Sequence, residues 1–101
     1  MVMATSELSE RVRDTEQPLA RRLQSARALG NQADPASLST VVELCGTSDL
    51  GEELLRELGR SLARIAVELD EVKATYDMRL YDVTEVAFLE FSNEVAVLQL
   101  S

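Results

Sequence analysis

Histidine is absent from all 101 residues. Its absence removes the side chain that most often serves as general base near neutral pH, the usual nucleophile–base dyads and triads, and most zinc sites. Tryptophan is absent too, and cysteine occurs once, as Cys45. A single cysteine forms no intramolecular disulfide, and a short secreted chain usually carries paired ones, so a reducing cytoplasm is the expected location. Four scattered glycines do not make the G-x-x-x-x-G-K loop that cradles phosphate. No apolar run approaches the ~20 residues of a membrane span. Residues 1–16 alternate acids and bases without an apolar stretch, which predicts no signal peptide. Aromatics are few, and Tyr76, Tyr81, Phe88 and Phe91 all fall in the last third.

The core of the first two-thirds must therefore come from Leu, Val, Ile and Ala. These residues suit packed helices better than a β-sandwich. One domain fits this length, and a domain of this size buries roughly 60–70% of its unfolded surface, enough to fold without staples. The net charge is −8. Residues 1–50 hold seven acids and five bases, for −2; residues 51–101 hold eleven acids and five bases, for −6. A field so placed repels nucleic acid and anionic membranes and speeds association with basic partners.

Helix signals run through most of the chain. Residues 1–14 form a polar segment or a short helix around Leu8 and Val12, and residues 15–101 a single helical domain. Thr15 caps a segment with Pro18 in its first turn, followed by Leu19, Leu23, Ala26 and Leu29 at helical spacing and by Gly30 as a closing cap. Asp34-Pro35 opens a short helix with Leu38, Val41, Val42 and Cys45 on one face. Gly46 stops it. Ser48 or Asp49 caps the longest helix, striped by Leu54, Leu58, Leu62, Ile65, Leu69 and Val72, with Glu57, Arg60 and Arg64 on the opposite, solvated surface. Gly59 inside that helix costs about 1 kcal/mol relative to alanine, which a close approach by a neighbouring helix would explain. Residues 73–79 read as a connection. The segment 82–101 reads either as a helix capped by Asp82 with Glu85 as its capping-box partner, or as a β-hairpin around Ser92-Asn93-Glu94.

The short helix after Asp34-Pro35, the Gly-Thr-Ser-Asp turn and the longer helix beyond it resemble a HEAT-type αα-hairpin. Ser25-Ala26-Arg27 and Leu62-Ala63-Arg64 echo each other at a similar period. The resemblance covers about residues 15–70 and implies an all-α fold of stacked hairpins. Small acidic chains of this layout are similar to bacterial immunity proteins that neutralise toxins. That similarity implies an antitoxin-like inhibitor that binds protein, without enzymatic activity, cofactor or metal, and with a basic toxin or nuclease domain as partner.

Candidate contact residues follow from charge and residue type. Glu68, Asp70, Glu71, Asp77, Asp82 and Glu85 supply the acidic face, with Tyr76, Arg79 and Tyr81 as anchors of the kind interfaces favour. The acids lack the EF-hand arrangement, so a solvated or partner-facing surface is expected rather than a calcium site. Cys45, on the apolar side of its helix, is expected to be a buried hydrophobe. The alternative function is a structural or adaptor protein that forms a homodimer through its apolar segment Val86–Leu100.

Overall fold

The computed structural model describes residues 4–78, 80 and 82–100, the side chain of Met78 excepted. Among them are six α-helices and no strand: α1 (Thr5–Arg13), α2 (Leu19–Gly30), α3 (Pro35–Cys45), α4 (Glu52–Glu68), α5 (Val72–Met78) and α6 (Glu85–Leu100), with a 3-10 turn at Ser48–Leu50 before α4. The hairpin reading of the C-terminal segment is therefore not supported: Glu85–Leu100 form one continuous helix.

Local chemistry explains most of the boundaries. Asp34 caps α3 by accepting a hydrogen bond from the Ser37 amide at 2.8 Å, with Pro35 directly after it. Pro18 stands just outside α2, which starts at Leu19 rather than at Thr15. Gly51 lets the chain enter α4 at φ 92°, a conformation costly for any side chain. The cap of α6 is Thr84, not Asp82. Its hydroxyl accepts from the Ala87 amide at 3.3 Å and donates to the Cys45 carbonyl at 2.9 Å, which ties the start of α6 to the end of α3.

The core surrounds α4. Leu54, Leu55, Leu58, Leu62, Ala63, Ile65 and Ala66 of this helix are all buried, so it is covered on several sides by α2, α3 and α6. Fully burying each leucine or isoleucine is worth about 1.5–3 kcal/mol. Leu8 and Val12 carry α1 into the same core, joined by Ala26 and Leu29 of α2 and by Leu38, Val41 and Leu44 of α3. Phe91 is the one fully buried aromatic among the described residues and brings α6 onto α4 with Ala87 and Val95.

Two glycines set how closely the helices approach. A Cβ on Gly59 would lie 2.5 Å from the Ala87 carbonyl oxygen and 3.2 Å from the Phe91 nitrogen, so the backbones of α4 and α6 touch there. Gly30 acts through packing rather than as a cap. It is the last residue of α2, Asn31 caps it, and a Cβ on Gly30 would lie 2.7 Å from the Ser61 hydroxyl. Ser61 uses that proximity to donate to the Ala26 carbonyl at 2.8 Å.

Candidate functional site

The expected acidic face begins where α4 ends. Leu69 is the C-cap, Asp70 adopts φ 55°, the Asp70 amide donates to Val67 at 3.1 Å and the Glu71 amide to Ala66 at 2.8 Å. This is a Schellman turn, with aspartate in the left-handed position that glycine usually fills. The turn also corrects the reading of residues 73–79 as a connection, because α5 starts two residues later and the Thr75 amide donates to the Glu71 carbonyl. Glu68, Asp70, Glu71, Asp77, Asp82 and Glu85 are all exposed. The first three crowd the C-terminus of α4, where the helix dipole is already negative and no base lies in the last turn. Lys73 and Arg79 are the only bases after Arg64.

Tyr76 belongs partly to the fold. Its hydroxyl donates to Ser92 at 3.0 Å, its ring stands edge-on to Phe88 at 6.2 Å, and it packs obliquely on Phe91 at 5.1 Å. It is still 37% exposed, so it fastens α5 to α6 while presenting part of one face outward. Arg79 and Tyr81, the other proposed anchors, lie outside the described residues.

The outer side of α6 exposes several apolar side chains. Ala87, Phe91 and Val95 face the core, but Leu89 is 53% and Leu100 88% exposed, and Phe88, Ala96 and Val97 are exposed as well. Glu85, Asn93 and Gln99 are exposed among them, so the outward side of α6 is mixed, while the described residues pack on its inner side.

In a charged cluster that the sequence placed in solvent, the central carboxylate is instead buried. Glu57 is 3% exposed and receives the Arg27 guanidinium at 2.8 Å, with Arg60 at 3.6 Å and Arg64 at 3.9 Å. Arg56 pairs with Glu52 one turn earlier on α4. The two Ala-Arg steps that echo in sequence thus meet in space: Ala26 and Ala63 are buried, and Arg27 and Arg64 both reach Glu57. Arg27 comes from α2, thirty residues away, and only the recurrence of Ala-Arg in the sequence hinted at it. With Ser61 on Ala26, this cluster fastens α2 to α4 and has the form of a structural clasp.

Elsewhere the chemistry is sparse. Cys45 is fully buried, and desolvation pushes its thiol up to about 12, so it stays protonated and shielded. Among the described residues no group of three carboxylates or thiols stands close enough to hold a metal ion. No described helix is long and apolar enough to cross a membrane. A cleft of about 780 Å³ between α1 and α2 is lined by side chains of both signs, including Glu7, Glu10, Arg11, Asp14 and Arg21. It shares no residue with the acidic face. No family model, curated protein or solved structure matches the chain.

Proposed function

We propose that this chain is a small protein-binding module of the cytoplasm, an inhibitor of the immunity or antitoxin type that docks on a basic partner such as a toxin or nuclease domain. The observation that carries this reading is the placing of acids where they cost stability. Asp70 holds a left-handed conformation that glycine would adopt without strain, and Glu68, Asp70 and Glu71 crowd the negative end of α4. Glu71 partly recovers its cost by starting α5, but Glu68 and Asp70 do not. Carboxylates kept at such positions point to a role outside the fold. Short α3 and longer α4, joined through the turn at Gly51, support a HEAT-like hairpin as the scaffold.

In this mechanism the exposed carboxylates between Glu68 and Glu85 steer a basic cleft into contact, and the bound module then excludes the partner's substrate. Tyr76, 37% exposed, supplies part of the area that holds the complex once formed. The test is capture with the immobilised wild-type chain and with the triple variant Asp70→Lys/Glu71→Lys/Asp77→Lys, starting with the product of any toxin-like neighbouring gene. A protein retained by wild type and lost by the variant supports the proposal. Equal retention at low salt rejects it. A second reading, self-association, is favoured by the uncovered side of α6 alone.

A further inference from the structure

The cleft between α1 and α2 gathers charges that the fold does not use. Among the described arginines, Arg11 and Arg21 alone have neither an ion pair nor a side-chain hydrogen bond, and both line this cleft. Glu7 and Glu10, on the α1 wall, are equally unpaired. Ser25 lines the cleft from α2; it is 6% exposed, and its hydroxyl has no hydrogen-bond partner among the described residues. A hydroxyl so deeply buried costs stability unless something satisfies it. We propose that the cleft binds a small zwitterion of the class of short free peptides, its carboxylate held by Arg21, Arg11 and the Ser25 hydroxyl and its ammonium group by Glu7. This site is independent of docking to a basic partner, since the acidic face shares none of its residues.

Three observations select this ligand. Acids and arginines line the cleft together, so a ligand of one sign meets repulsion: Glu10 and Asp14 oppose a lone anion, and the two arginines a lone cation. The opposite charges are also spaced along the cleft. A short turn makes α1 and α2 antiparallel neighbours, with Arg22 donating to the Val12 carbonyl beside it, so Arg21 lies near the turn and Glu7 toward the far end. Glu7 and Arg11 stand about 6 Å apart along the α1 axis and do not pair, a gap that the backbone of a peptide can span. The volume of about 780 Å³ falls within the roughly 300–1,000 Å³ of small-ligand sites, and polar lining suits peptide groups better than an apolar molecule.

The test is titration of the isotope-labelled full chain, followed by NMR near neutral pH, with trialanine, N-acetyl-trialanine and trialanine amide. The two blocked forms lack the ammonium and the carboxylate charge respectively. Trialanine should shift the amides of Glu7, Arg21 and Ser25 saturably at millimolar concentration, and each blocked form should bind roughly fivefold or more weakly. No saturable shift in the cleft, or equal binding of the blocked forms, overturns the proposal. Arg21→Ala, checked for native helicity by circular dichroism, should weaken trialanine binding by a similar factor, and unchanged affinity would also overturn it. Ser25→Ala separates a ligand contact from a structural one. Because the hydroxyl has no partner in the fold, its loss should leave Tm unchanged or raised while weakening binding. A lower Tm with unchanged binding would mean that Ser25 serves the fold, and would sink its place in the site. Failure of basic-partner capture leaves all these outcomes unaffected.

Discussion

Replacing Gly59 by alanine sets two effects of opposite sign against each other. In an isolated helix the change is favourable by about 1 kcal/mol, since alanine is the better helix former and restricts the unfolded chain. In this fold the new methyl would sit 2.5 Å from the Ala87 carbonyl oxygen, 3.0 Å from the Glu90 Cβ and 3.2 Å from the Phe91 amide nitrogen. Two of the three are backbone atoms, so no rotamer change relieves the clash and α6 must shift away from α4. Overpacking of this kind costs about 1–3 kcal/mol, and the shift also loosens Ala87, Phe91 and Val95, which hold α6 to the core. Because the closest atom is a backbone oxygen, the cost falls in the upper part of that range, about 2–3 kcal/mol, and contact outweighs propensity by about 1–2 kcal/mol. For a chain of this length that lowers Tm by roughly 4–16 °C. Thermal unfolding followed by circular dichroism measures it. An unchanged or higher Tm for Gly59→Ala would refute the close approach of α4 and α6.

Glu57→Gln should cost about 1–3 kcal/mol in urea unfolding, less than for a fully buried ion pair because the three arginine heads can regain water; Arg27→Ala should cost less, since Arg60 and Arg64 remain on the carboxylate. Equal losses for the two variants would contradict the central position of Glu57. Asp70→Gly should stabilise the fold by roughly 0.5–1 kcal/mol by relieving the left-handed strain, and the same denaturation assay would expose the error if stability fell. Cys45 should resist iodoacetamide in the folded protein and react on unfolding. Because its thiol pKa is raised when folded, from 9.0 to about 12, the unfolded chain loses that proton first and stability falls between those pH values. Cys45→Ala should remove that part of the alkaline slope, and identical slopes would show that the thiol does not contribute.

The parts of the fold that were legible in sequence are those set by local chemistry. Asp34-Pro35 marked the start of α3, and the leucines from Leu54 to Leu62 with Ile65 marked the buried stripe of α4. Gly59 pointed to a close helix contact because a mid-helix glycine has few other uses. The misreadings arose where a long-range contact or an unusual residue took over. An aspartate in place of glycine at the Schellman turn concealed the end of α4, so the stripe seemed to run on to Val72 and α5 read as a connection. Glu57, Arg60 and Arg64 have the spacing of a solvent-facing charge ladder, and the fold buries its carboxylate by adding Arg27 from α2. Helix α6 carries apolar residues on its outer as well as its inner side and so lacks the periodicity that separates helix from strand. The same property leaves Leu89 and Leu100 uncovered. Charge made Glu68, Asp70 and Glu71 candidates in the sequence, but the strain at Asp70 depends on backbone conformation and could not be read there.

The proposed inhibitor function turns on whether the carboxylates from Asp70 to Asp77 accelerate binding to a basic protein. The deciding measurement is the association rate of the captured partner with wild type and with Asp70→Lys/Glu71→Lys/Asp77→Lys, from low to high ionic strength. Electrostatic docking predicts a rate that falls on the order of tenfold or more for the variant at low salt, with the two converging as salt rises. Equal rates at low salt would contradict it.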